Sequence, residues 1–275
     1  DGNGNNADYN RVIVASVEGT KKYLLSHDGE LINAITFTPD NTQVITADEK
    51  GLINIWNIED GEKASSIETN GVVLALAVSP DGKYLVAGIE EGNHSIVWDL
   101  STKAQAATLN QIGRINSIQF SSDGKLLATG SSEATVYLWD VGDDGTFTRA
   151  KNEFHVNGEL STLEFSPDDK WLAAGDSTGF AYIFDLELGQ EVSRLPHIDK
   201  VTSISFSPDG KQLATVSRKA VMLWDVPSIP LFTRENLTEI ACSRMTKNFD
   251  ENKWKLIFFE DEYYPICPNL PAGGN

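Results

Sequence analysis

The sequence is poor in cysteine, methionine and positive charge, and it has no long apolar run. Its 275 residues include two cysteines, Cys242 and Cys267. Two thiols do not make the framework of a stapled secreted domain, so the compartment is read as reducing and cytoplasmic. No apolar stretch approaches the roughly 20 residues that cross a bilayer. No signal-peptide pattern follows Asp1. Lysine and arginine number 22 against 40 aspartates and glutamates, a formal charge of −18. That balance argues against nucleic acid and against an anionic membrane as partners, and suits basic ones. The phosphate loop G-x-x-x-x-G-K-[ST] and the hydrolytic patterns H-E-x-x-H and G-x-S-x-G are missing. Neither cysteine has a histidine or second cysteine nearby to make a zinc site. The opening Asp1-x-Asn3-x-Asn5 has Asn6 and Val12 where a calcium loop needs Gly and Glu. No catalytic residue, cofactor or metal is assigned, and the chain itself is read as non-enzymatic.

What the sequence does have is one paragraph written several times. Val201–Asp225 contains an alternating run, a polar turn (Ser207-Pro208-Asp209-Gly210) and two further apolar runs ending at Trp224-Asp225. The residue closing the third run recurs as Trp56, Trp98, Trp139, Phe184 and Trp224. The residue before the turn recurs as Phe37, Val78, Phe120, Phe165 and Phe206. Both markers keep a spacing of about 40–45 residues, and internal periods of that size decide a fold before local propensity does. Within a copy the period is two, with a small irregularity before Ile204, so the runs are β-strands. Proline presets φ in the turn and glycine tolerates φ > 0. Four short strands per copy fit the blades of a β-propeller.

These copies resemble the WD-repeat family. The resemblance is carried by Phe37-Thr38-Pro39-Asp40, Val78-Ser79-Pro80-Asp81-Gly82, Phe120-Ser121-Ser122-Asp123-Gly124, Phe165-Ser166-Pro167-Asp168 and Phe206-Ser207-Pro208-Asp209-Gly210. The Trp-Asp or similar pairs ending each copy complete it. It covers about residues 11 to 226 and implies an all-β WD-repeat propeller, with a role in binding protein and no chemistry of its own. The expected first-to-third strands are 31–57, 72–99, 115–140, 160–185 and 201–225. Ala15 stands where a Trp would close an earlier copy, so the segment 11–27 reads as the second half of a blade. The expectation is five fuller blades plus that half, within a ring of about seven. Its missing strands would come from a complementary N-terminal part of the same polypeptide. Residues 1–10 read as a flexible loop, 11–234 as the propeller portion and 235–275 as a helical and extended tail. In the tail, Asn236 is a helix cap and a second helix spans 250–257. Ala241–Phe249, Trp254-Lys255 and Tyr263–Pro268 resemble the tails of bacterial multidomain WD-repeat signalling proteins, which carry nucleotide-hydrolysing switches or caspase-like effectors.

The resemblance also implies a buried network per blade: His before the first strand, Ser or Thr in the second, Asp in the next turn, Trp in the third. Every network reads as broken. The first has His27, Thr46 and Trp56 with Lys50 at the Asp position. The third has Thr129, Glu133 and Trp139 without His. The fourth has His155, Thr178 and Phe184. The last has His197, Thr215 and Trp224 with a shortened turn at Arg218-Lys219. The loops before the first strand and between the second and third are expected on one face. They bring His27, Asp28, Glu30, Glu49, Lys50, Glu90, Glu91, Arg114, Glu133, Asp176, Asp199, Lys200, Arg218 and Lys219 together, acidic in the early blades and basic in the last. The expected function is a protein-interaction or sensor module of a larger bacterial signalling or defence protein. The alternatives are the structural C-terminal part of an upstream protease or NTPase, and a constitutive scaffold.

Overall fold

The computed structural model describes residues 11–15, 22–27 and 30–229. Residues 1–10, the last stretch of the expected propeller portion (230–234), the expected helices and the tail with both cysteines lie outside the described residues, as does Asp28. The described chain is almost wholly strand. A two-stranded sheet, β1 (Arg11–Ala15) and β2 (Lys22–Ser26), comes first. The first full blade is β3 (Ile32–Phe37), β4 (Gln43–Asp48), β5 (Leu52–Asn57) and β6 (Lys63–Glu68). The second is β7 (Val73–Val78), β8 (Tyr84–Ile89), β9 (His94–Asp99) and β10 (Gln105–Asn110). The third is β11 (Ile115–Phe120), β12 (Leu126–Ser131), β13 (Thr135–Val141) and β14 (Phe147–His155). The fourth is β15 (Leu160–Phe165), β16 (Trp171–Asp176), β17 (Phe180–Asp185) and β18 (Gln190–Pro196). In the fifth, β19 (Val201–Phe206), β20 (Gln212–Ser217) and β21 (Val221–Asp225) are described. Each sheet is an antiparallel meander in sequence order. This agrees with an all-β array of propeller blades preceded by half a blade.

The repeated turn explains its own sequence. Ser79 Oγ donates to Asp81 Oδ1 at 2.7 Å and accepts from Tyr84 N at 2.9 Å. Asp81 Oδ1 accepts from Lys83 N at 3.0 Å, and Gly82 sits at φ +73°. Thr38/Asp40, Ser121/Asp123, Ser166/Asp168 and Ser207/Asp209 repeat the hydroxyl-to-carboxylate bond. The turn therefore satisfies its own backbone, and the flanking strands need only supply apolar side chains.

The irregularity before Ile204 is a β-bulge between Val201 and Ser203, and all five first strands have it at the same place. One extra residue turns Val201 to the same side as Ile204 and Phe206. The second strands of the first four blades are small and apolar because they are buried on both faces, with a core between each pair of blades. Gly88, Gly130 and Gly175 lie where the next blade comes closest. A Cβ on Gly88 would stand 2.9 Å from Ile115 Cβ, and one on Gly175 2.6 Å from Val201 Cγ1. First strands of successive blades also share hydrogen bonds. Leu163 N donates to Ser117 Oγ at 3.0 Å, and Phe206 N to Glu164 Oε1 at 3.0 Å. One joint has an additional tie. Asp169, at φ +54°, occupies the glycine position of its turn and accepts from Ser122 N at 2.8 Å, Ser122 Oγ at 2.5 Å and Asp123 N at 3.0 Å. Ser122 replaces the turn proline of the other copies and so has an N–H to give.

The buried networks correct the sequence reading. The first blade is complete, because Asp48, two residues before Lys50, closes it. His27 Nδ1 meets Asp48 Oδ2 at 2.9 Å and Nε2 meets Thr46 Oγ1 at 2.6 Å. Trp56 Nε1 donates to Thr46 Oγ1 at 2.8 Å. The Asp48 carboxylate only accepts, so the ring proton sits on Nδ1 facing it, and in that neutral tautomer Nε2 accepts from the Thr46 hydroxyl. Asp48 Oδ1 accepts from Lys50 N and Leu52 N at 3.0 and 2.8 Å, so one side chain closes both the network and the turn. In the third blade Gln111 stands in for histidine, bonding Thr129 at 2.5 Å and Ser95 at 2.7 Å, while Trp139 donates to Thr129 at 3.1 Å. In the fifth, Trp224, Thr215 and His197 are linked at 2.8 and 2.7 Å, with the Leu195 carbonyl on Nδ1 in place of an aspartate. The fourth blade replaces the network with rings: Phe154 stacks on Phe184 at 4.3 Å, and His155 lies exposed at the end of β14.

Candidate protein-interaction face

In the first four blades the loop before the first strand and the loop between second and third strands are bonded backbone to backbone. Glu49 N donates to the Leu31 carbonyl, Glu90 N to Val72, Ser132 N to Arg114 and Ser177 N to Glu159, at 2.9–3.0 Å. Strand pairing thus forces these loops onto one end of each blade, and the side chains that follow them in sequence become neighbours. Glu91 lies over Gly71 and Glu133 over Gly113, where a Cβ would be 2.6 and 2.7 Å from the nearest carboxylate-chain atom.

Of the residues expected on this face, Glu30, Glu49, Lys50, Glu90, Glu91, Arg114, Glu133, Asp199, Lys200, Arg218 and Lys219 are exposed or half-buried. His27 and Asp176 are not. Both are buried, His27 in the network above and Asp176 as acceptor for Tyr182 Oη at 3.0 Å, Thr178 N at 3.0 Å and Phe180 N at 3.0 Å. The aspartate there serves the turn, and burial drives the Tyr182 hydroxyl up to about 12. Lys50 pairs with Glu30. Asp199 Oδ1 caps Lys200 N at 2.8 Å.

Arg114 is the best-anchored charge. Its guanidinium bonds Glu159 of the fourth blade and approaches Glu90 of the second at 3.6 Å. Asn116 Nδ2 donates to the same Glu159 oxygen at 2.9 Å. Burial pushes the Glu159 carboxyl up, but the bonds from Arg114 and Asn116 outweigh it and the group ends below the ordinary carboxylate range. Its bond to Glu159 holds Arg114 above its usual value. Sequence reasoning missed Glu159, although it directly precedes a first strand, as Arg114 and Lys200 do. It also missed two apolar tips on these loops, Ile112 and Ile198, 66% and 81% exposed. Each follows a network residue, Gln111 or His197, and that offset is the signal that could have found them.

Five segments, 19–57, 62–99, 105–140, 150–185 and 189–225, match the family described as WD domain, G-beta repeat, and together they span more than half of the chain. The chain belongs to the WD-repeat family. WD-repeat domains are in general non-catalytic platforms for protein interaction. A part of the chain is also similar to the small ribosomal subunit protein RACK1z of Arabidopsis thaliana, 30% identical over 69 residues, which is 25% of this chain and 21% of that one. The small ribosomal subunit protein RACK1 of Brassica napus is 29% identical over 69 residues, with the same coverage. The match therefore spans about a fifth of those relatives' length. No helix among the described residues is long and apolar enough to cross a membrane.

Proposed function

We propose that this WD-repeat chain is a non-catalytic interaction module that reads a protein ligand through the loop face, within a larger signalling protein of the bacterial multidomain kind its tail resembles. The observation that carries this reading is the Glu90–Arg114–Glu159 chain, which fixes loops of three blades relative to one another. Around it Ile112 and Ile198 are exposed, and Glu91, Glu133, Arg218 and Lys219 make no ion pair among the described residues. A rigid surface that presents apolar tips beside uncompensated charge of both signs suits protein rather than small-molecule recognition. The relatives' names describe them as small ribosomal subunit proteins, components of a larger assembly.

The test is site-specific photo-crosslinking in cells. A crosslinker at Ile112 or Ile198 captures a discrete protein, and Lys200→Glu with Arg218→Glu abolishes that capture. A crosslinker at Lys125, on the repeated turns, does not capture it. Capture of the same protein from Lys125 as well, or retention after charge reversal, refutes the reading.

A further inference from the structure

We propose that the open side of β3 and the free edge of β1 form a seat for a β-hairpin of a partner polypeptide, which carries a glycine or alanine where its second strand meets Ile32. This inference goes beyond the loop face and uses none of its residues. It starts from where apolar surface is exposed. Ile35 and Phe37 are 49% and 52% exposed. Their counterparts in the third to fifth blades, Ile118, Leu163 and Ile204, then Phe120, Phe165 and Phe206, are all 3–9% exposed because the preceding blade covers them. Leu31, directly before β3, is 46% exposed as well. Among the described residues β1 bonds only to β2, so a row of backbone donors and acceptors runs beside this apolar face.

The four blade-to-blade joints specify what fits. The first residue of each first strand sits against a small residue of the preceding second strand: Val73 against Ala47, Ile115 against Gly88, Leu160 against Gly130, Val201 against Gly175. Ile32 holds that position in β3, so its cover must carry Gly or Ala there. A second copy of this chain does not qualify. The matching residue of its fifth blade, paired with Ser203 as Gly130 is with Ser117, is Val216. A branched side chain there meets Ile32 head on. The cover also needs an acceptor for the Ile35 amide, as Ser117 Oγ serves the Leu163 amide at 3.0 Å.

The chain contains a hairpin with both features, residues 114–132, carrying Ser117 and Gly130. A copy of this hairpin fused ahead of residue 1 precedes β1 in the order first strand, second strand, third strand that every blade follows. The expected result is a rise of about 5 °C in thermal midpoint over the unfused chain, with amide exchange of β1 slowed about tenfold or more. The same fusion with Gly130→Val in the added copy gives neither change, and neither does the glycine fusion when the chain carries Phe37→Ser. The variable residue lies outside the original chain, so its folding is not at risk. Equal effects of the two hairpins, or no effect of either, overturn the proposal. So does self-association of the unfused chain that Phe37→Ser dissolves, since a second copy then covers the face. Lys200→Glu with Arg218→Glu leaves the fusion effect intact, which separates this outcome from that of the loop face.

Discussion

Replacing Thr46 by valine keeps the shape of a fully buried side chain and removes one oxygen. That oxygen accepts from Trp56 Nε1 at 2.8 Å and meets His27 Nε2 at 2.6 Å. Valine leaves the Trp56 indole N–H without a partner and His27 Nε2 with only the longer Asn54 Nδ2 contact at 3.3 Å, in a buried site where Thr46, Asn54 and His27 are 0–2% exposed. An orphaned group costs about 1–3 kcal/mol. The added methyl returns about 0.8 kcal/mol of apolar burial. One orphaned group and one weakened bond, less the methyl term, give an expected net loss of about 1–3 kcal/mol, a sizeable share of a domain's total stability. The equivalent change in the third blade, Thr129→Val, costs less, because Trp139 donates over 3.1 Å and Gln111 keeps its bond to Ser95. Urea denaturation followed by tryptophan fluorescence compares the two, with amide exchange assigning the loss to the blade concerned. A Thr46→Val protein within about 0.5 kcal/mol of the parent would refute the claim that this network contributes to stability.

Three further outcomes follow from the same geometry. Asp169→Gly relieves about 1 kcal/mol of left-handed backbone cost while losing three hydrogen bonds, so alone it is close to neutral. Ser122→Pro destabilises the parent but not Asp169→Gly, and a double-mutant cycle in urea returns a coupling of about 1 kcal/mol between them. Burial holds His197 below its ordinary value of 6.5, so its stabilising contribution is complete above that pH and is lost as pH falls below it. Scanning calorimetry between about pH 7.5 and about pH 5.5 should show a smaller drop in midpoint for His197→Gln, which copies Gln111 and does not titrate, than for the parent. Gly175→Ala puts a methyl carbon 2.6 Å from Val201 Cγ1 and costs about 1–3 kcal/mol by the same urea assay.

Blades and turns were readable because each copy states its own local physics: a hydroxyl, a proline, a carboxylate and a glycine close the turn, and alternation sets the strands. Half a blade at 11–27 was readable from spacing, because Ala15 stands one repeat ahead of Trp56. The networks were not, because they depend on which atom reaches which. Asp48 ends a strand and folds back under its turn, so counting along the turn pointed to Lys50. Gln111 replaces an imidazole by offering an amide donor and acceptor at similar positions, an equivalence that residue type alone hides. Asp176 has the type and loop position of a surface charge, but Tyr182 covers it. The Ser122–Asp169 tie joins turns of two blades and looks, in either copy alone, like a plain departure from the motif. On the loop face, charge and position were legible. Glu159 as the anchor of Arg114 was not, because it pairs across a blade boundary.

The central claim is that the loop face binds protein. Calorimetric titration of the crosslinked partner, once purified, into the parent chain and into Lys200→Glu/Arg218→Glu tests it most directly. The account predicts affinity weakened at least about tenfold, roughly 1.4 kcal/mol, with an unchanged thermal midpoint. Equal affinity for the two proteins would contradict it.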